Sequence, residues 1–97
     1  MLDKIKQLME VKRQADLIKR ELESSRIEAN DVRGIRIVID GAQHFQSIEI
    51  ESGLLTAKDK NRLEADLLRS INAAVHKSQA LAAQKMKDMA GLDIPGL

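Results

Sequence analysis

The sequence predicts an α+β fold: a long N-terminal helix, a three-stranded antiparallel β-meander and a long C-terminal helix. Three observations carry it. Apolar residues recur at helical spacing over residues 2–24, the period falls to two between Arg26 and Glu51, and helical spacing returns from about residue 57 to 90. At 97 residues the chain is one domain's worth, 1–97. A chain this short buries only about 60–65% of its unfolded surface. Long extended helices would therefore look to a second copy for the rest of their core.

In the first helix Leu8, Val11, Ala15, Ile18 and Leu22 alternate at spacings of three and four, a heptad seam, and Leu2, Ile5 and Met9 widen it at the first turns. No Gly or Pro interrupts the segment, which at ~1.5 Å per residue is about 35 Å long. Ser24 and Ser25 end the pattern.

In RGIRIVIDG, Ile35, Ile37 and Ile39 share one face of a strand, and Arg36, Val38 and Asp40 share the other. In FQSIEIE, Ile48 and Ile50 alternate with Ser47, Glu49 and Glu51. Between them GAQH, residues 41–44, is a hairpin loop led by Gly41. Setting Asp40 opposite Phe45 pairs Ile37 with Ile48, Ile35 with Ile50 and Arg36 with Glu49. Apolar then meets apolar and charge meets opposite charge, which selects this register. A weaker first strand lies in RIEANDV and turns through Asn30 and Asp31 towards Gly34. The meander needs helices on its isoleucine face.

After Ser52-Gly53-Leu54-Leu55, Thr56 and Asp59 form a capping box, and the second helix runs from about Ala57 to Ala90. Leu63, Leu67, Leu68, Ile71, Ala74, Val75, Leu81, Ala82, Met86 and Met89 supply its apolar face. Gly91 is the natural C-cap residue and Pro95 prevents a restart. At about 50 Å this helix outruns a three-stranded sheet, so part of it projects or meets another subunit.

Composition excludes whole classes of function. Without cysteine there are no disulfides, thiol nucleophiles, zinc fingers or iron–sulfur sites. Without Trp or Tyr the usual interface anchors and base-stacking platforms are missing, and Phe45 is the one aromatic. No stretch reaches the roughly 18–20 apolar residues that span a bilayer. MLDKIKQLMEVKRQ is mixed in charge from its third residue, unlike a signal peptide, and a cysteine-free chain without one reads as cytoplasmic. Asp40, Glu49, Glu51 and His44 form a loose acidic set, but no metal-ligand spacing is present, and a polar sheet face accounts for them. His76 reads as an exposed polar residue. No nucleophile–base pair, phosphate-binding glycine loop or dinucleotide fingerprint appears, so the expectation is a non-enzyme with no cofactor, metal or small-molecule substrate.

The net charge of +1 by itself points to no polyanion. Position on the heptad suggests otherwise. The outward row of the first helix is Lys6, Arg13 and Arg20, and the neighbouring row adds Lys12 and Lys19. Asp3, Glu10, Asp16 and Glu23 are expected on the other flank, so the cations would build a local positive field. Two readings stand: a solvated face laced with ion pairs, or a stripe that tracks phosphates. The second helix carries Arg69, Lys77, Lys85 and Lys87, and from Val75 to Ala90 it holds one acid, Asp88. Basic residues there also suit the helix dipole. Val38 and Phe45 fall together on the wet face of the hairpin, an apolar patch that a partner subunit would cover.

The chain as a whole resembles the YbaB/EbfC family of bacterial nucleoid-associated proteins. The residues that carry the likeness are VRGIRIVIDGAQHFQSIEIESGLL, LEADLLRSINAAVHKSQALAAQKM and the closing Gly-x-x-x-Pro-Gly from Gly91 to Gly96. The resemblance implies a tweezer-like homodimer with sheets at the centre and helices as arms, and binding of double-stranded DNA by the arm ends in the nucleoid. Carried over by position, the DNA-binding residues are Lys6, Lys12, Arg13, Lys19, Arg20, Lys77, Lys85 and Lys87, with Val38 and Phe45 at the dimer interface. The chain departs from the family in keeping only Gly34 before the second strand, and in having Glu51-Ser52-Gly53 where an Asp-Pro usually precedes the Leu-Leu pair. It also lacks the family's glycine- and methionine-rich leader. The rival reading is a helix–hairpin–helix interaction or chaperone-like scaffold subunit whose arms grip a protein client.

Overall fold

The two apolar periods resolve into five elements. The computed structural model describes residues 1–90 and contains α1 (Leu2–Ser24), β1 (Ile27–Ala29), β2 (Ile35–Ile39), β3 (Phe45–Ile50) and α2 (Lys60–Ala90). The expected C-cap at Gly91, Pro95 and the closing glycine–proline motif lie outside the described residues. Thr56 Oγ1 donates to Asp59 Oδ2 at 2.7 Å, but Thr56 caps no backbone N–H. The expected capping box is therefore a side-chain clasp on a short 3₁₀ turn, Ala57–Asp59, and α2 begins at Lys60.

The strands pair in the order β1-β2-β3, all antiparallel. Ile35 faces Ile50, Arg36 faces Glu49 and Ile37 faces Ile48 in the expected register. The ladder then shifts between Val38 and Ile39, and Phe45 pairs with Ile39 instead of Asp40. One extra residue in β3 is a β-bulge, and it turns Phe45 onto the isoleucine face. The turn back from β1 needs Gly34, whose φ of +88° is costly for any side chain with a Cβ. In the hairpin loop the positive φ falls on Gln43 rather than Gly41. Gly41 is required for a different reason: a Cβ there would lie 2.7 Å from Leu22 Cδ2 and 2.9 Å from Ser25 Oγ.

Ile35, Ile37 and Ile39 are buried with Ala29, Val32 and Ala74. Burying each isoleucine contributes about 1.5–3 kcal/mol. Leu63, Leu67, Ile71 and Val75 of α2 complete this core. Only α2 covers the sheet. α1 has no buried residue and leaves the body instead, so one helix, where the sequence called for helices, lies on the isoleucine face.

The joint between α1, α2 and the hairpin is densely bonded. Gly41 N–H donates to Leu22 O at 2.9 Å and Ser25 Oγ at 3.0 Å, and the buried Ser78 hydroxyl donates to Asp40 O at 2.7 Å. Beyond it the two helices run antiparallel, with Lys85 Nζ 3.1 Å from Glu21 Oε2. From that crossing, α2 extends about 37 Å back to Lys60 and α1 about 28 Å on to Leu2. Together these lengths account for the 67 Å long axis of the molecule. The first turns of α1 therefore project past the described end of α2.

Candidate nucleic-acid interface

The eight basic residues singled out by sequence do not form one continuous stripe. On α1, Arg13 is bonded to Glu10 at 2.6 Å and Lys19 lies 3.9 Å from Glu23. The expected sorting of acids onto a separate flank fails for a simple geometric reason. At about 100° per residue, Asp16 and Glu23 fall between the row of Lys12 and Lys19 and the row of Arg13 and Arg20. On α2, Lys85 is held by Glu21 across the helix pair. Lys77 is not on the arm at all. It lies over the sheet, 3.0 Å from Asp31 in the turn after β1. Lys6, Lys12, Arg20 and Lys87 make no ion pair with another described residue.

A different segregation emerges between the elements. Residues 25–59, the sheet and its loops, carry six acids against four bases, whereas α2 carries six bases against three acids. Within α1 the surplus sits at the tip. Residues 2–13 have four cations against two anions, and residues 14–24 have two against three. Lys4 joins this tip set, exposed and without an ion pair among the described residues. Sequence reasoning passed it over because the heptad places Lys4 at an inward position, where α2 would meet it if the helix pair continued that far.

The acidic set on the hairpin serves the turn. Asp40 is buried, and its Oδ1 accepts from the N–H groups of Ala42 at 2.8 Å and His44 at 2.9 Å. Burial pushes its carboxyl up, but those two N–H groups and the His44 ring 3.3 Å away outweigh this and hold it below the usual carboxylate range. Glu49 belongs to another structural group, in which Arg36 bridges Glu28 on β1 and Glu49 on β3. The hydrogen bond from Arg36 lowers the Glu28 pKa. Glu51 closes the sheet by donating its N–H to Gly34 O at 2.9 Å.

Val38 sits on this charged face between Glu28 and Ser47 and beside Arg36, and only 1% of it is exposed. The expectation of an exposed Val38 is thus corrected: a small side chain on the central strand is covered by the long side chains around it. Phe45 is 45% exposed, but on the opposite, isoleucine face, so the two do not form one patch. Its neighbour there is Ile48, 48% exposed. On α2, the flank bearing Lys77 and Asp66 faces the β1 side, as the Lys77–Asp31 pair shows. The other flank, with Leu68, Ile71 and Val75, therefore runs beside β3. Exposed Leu68, Phe45 and Ile48 thus border an apolar trough that the other described residues leave open.

Among the described residues no helix is long and apolar enough to cross a membrane. The chain shares 33% identity over 79 residues with a nucleoid-associated protein of Syntrophobacter fumaroxidans, covering 79% of this chain and 72% of that one. It is 30% identical to one of Pelotomaculum thermopropionicum, covering 96% and 90% of the two chains. It is 28% identical to one of Prochlorococcus marinus (strain MIT 9215), covering 99% and 85%. A profile of one family matches residues 1–92, nearly the whole 97-residue chain. On that match, and on a fold of helix, meander and helix, the chain belongs to the YbaB/EbfC DNA-binding family.

Proposed function

We propose that this protein binds double-stranded DNA as a homodimer, through phosphate contacts made by its helical arms, and so helps to organise the nucleoid and regulate its genes. The observation that carries the reading is the arm tip: a helix projecting from the body, with Lys4, Lys6 and Lys12 making no ion pair among the described residues. Cations already bound to carboxylates must give up that partner before meeting a phosphate, whereas these need not. Lys87 and Arg20 extend the contact along the arm. Arg13, Lys19 and Lys85 contribute less, and Lys77 acts at the body.

The partner subunit fits the apolar trough of Phe45, Ile48 and Leu68, which lies beside the unpaired edge of β3. Two copies joined there would bring the sheets together at the centre and leave the arms outermost. Val38, covered within its own chain on the central strand, is not placed at that interface.

Gel-shift titration of a random-sequence duplex from about 50 to 200 mM salt tests the reading, since each phosphate neutralised adds about −0.9 to the log–log slope. Binding that weakens steeply with salt is expected. No binding at the lowest salt, or a slope near zero, refutes it.

A further inference from the structure

The tip of α1 carries an apolar patch that neither the core nor the phosphate contacts explain. Leu2, Ile5, Leu8 and Met9 are 54–74% exposed and follow one another round two helical turns. Lys4 lies one turn from Leu8 on one edge, Lys6 lies one turn from Leu2 and Met9 on the other, and Lys12 closes the inner end. The acids of the tip, Asp3 and Glu10, share a row on the opposite side, where Glu10 is neutralised by Arg13. An apolar strip about 11 Å long is thus bordered by ammonium groups on three sides.

Dimensions choose the occupant. An α-helix with its side chains is about 10–12 Å across, which matches the ~12 Å major groove of B-DNA and exceeds the ~6 Å minor groove. A helix seated there meets base edges with its inner face and the two phosphate backbones with its edges. The apolar groups on that floor are the C5-methyls of thymine. A lipid surface suits the patch less well. The apolar strip is only about 11 Å long, and beyond Met9 the outer face of α1 turns to ion pairs such as Lys19–Glu23, which leaves little apolar area to bury in a bilayer interface.

We propose that the α1 tip lies in the major groove, with Leu2, Ile5 and Met9 packed on thymine methyl groups, Lys4 and Lys6 on the flanking phosphates, and Lys12 on a phosphate where the helix leaves the groove. The inference rests on the DNA-binding reading above and adds to it a preference for thymine-rich steps. That preference arises without any polar base-reading side chain.

Replacing thymine by uracil removes the methyl and leaves the hydrogen-bonding edge intact, so the test needs no protein variant. Fluorescence anisotropy compares an A·T-rich duplex with its uracil counterpart at one salt concentration. Each methyl buried is worth about fourfold in affinity, from ~0.8 kcal/mol per buried group. Two arms together are expected to favour the thymine duplex about tenfold or more. Leu2→Ser with Met9→Ser, both exposed and remote from the core, is expected to cut that ratio several-fold and leave the salt slope unchanged. Equal binding of the two duplexes by the unaltered protein overturns the methyl contact and leaves the DNA reading standing. Failure to bind either duplex takes both down. Binding to vesicles of phosphatidylcholine and phosphatidylglycerol that the double variant loses would assign the patch to lipid and overturn the proposal.

Discussion

Two triple variants with the same loss of charge separate the tip from the rest of the arm. Lys4, Lys6 and Lys12 changed together to glutamine removes three cations that make no ion pair among the described residues. Arg13, Lys19 and Lys85 changed together to glutamine removes three that are held by Glu10, Glu23 and Glu21 at 2.6, 3.9 and 3.1 Å. At about −0.9 per phosphate, the first variant should flatten the log–log salt slope by about 2.7 for each arm engaged. Over a fourfold rise in salt that is a difference of about 40-fold in lost affinity. The second variant releases three carboxylates as well as removing three cations, so its slope should change by less than about 1. Fluorescence anisotropy on one duplex at four or five salt concentrations measures both. All six side chains lie on the arm helices outside the core, so circular dichroism should show the helices intact. Equal slope changes in the two variants would refute the claim that pairing within the arm decides which cations meet phosphate.

Other parts of the molecule give independent tests. Phe45→Asp with Ile48→Asp puts charge into the open trough, and sedimentation should show monomers whose helical content is unchanged. A dimer that survives would place the interface elsewhere. Ser78→Ala removes the buried hydroxyl that ties α2 to Asp40 O and should cost about 1–2 kcal/mol in urea unfolding; a neutral result would mean the joint does not depend on it. The folded pKa of Asp40 lies below its ordinary 3.8, so its contribution to stability is complete above that value and is lost as pH falls through the folded one. Asp40→Asn should therefore weaken the loss of stability below about pH 4, measured by thermal melts, and an acid limb identical to the parent's would contradict this.

The register of the hairpin shows how far alternation can be read. Opposite charges at Arg36 and Glu49 and matched isoleucines select the pairing correctly over the strand's length, because a one-residue slip would reverse every side chain. The bulge that follows leaves no mark in the pattern. Gln46 is an ordinary strand residue, and the extra residue is tolerated because Asp40 can bind the Ala42 and His44 N–H groups and set the turn. That one insertion moves Phe45 from the charged face to the isoleucine face. The candidate site has the same character. The basic residues were visible as types, but their pairing was not, since Lys77 meets Asp31 and Lys85 meets Glu21 across elements distant in sequence.

Sequence alone determined the elements, their order, the strand register up to Val38 and the family, because these depend on local periodicity and on residues read in line. Tertiary structure decided what those residues face. It covered Val38, left Phe45 and Ile48 open beside α2, and carried the first turns of α1 past the described end of α2. A heptad lettering assumes that an inward position always meets a partner helix. Where α1 outruns the described part of α2, Lys4 and Leu8 are instead exposed, and the charge balance of the arm is decided at that end.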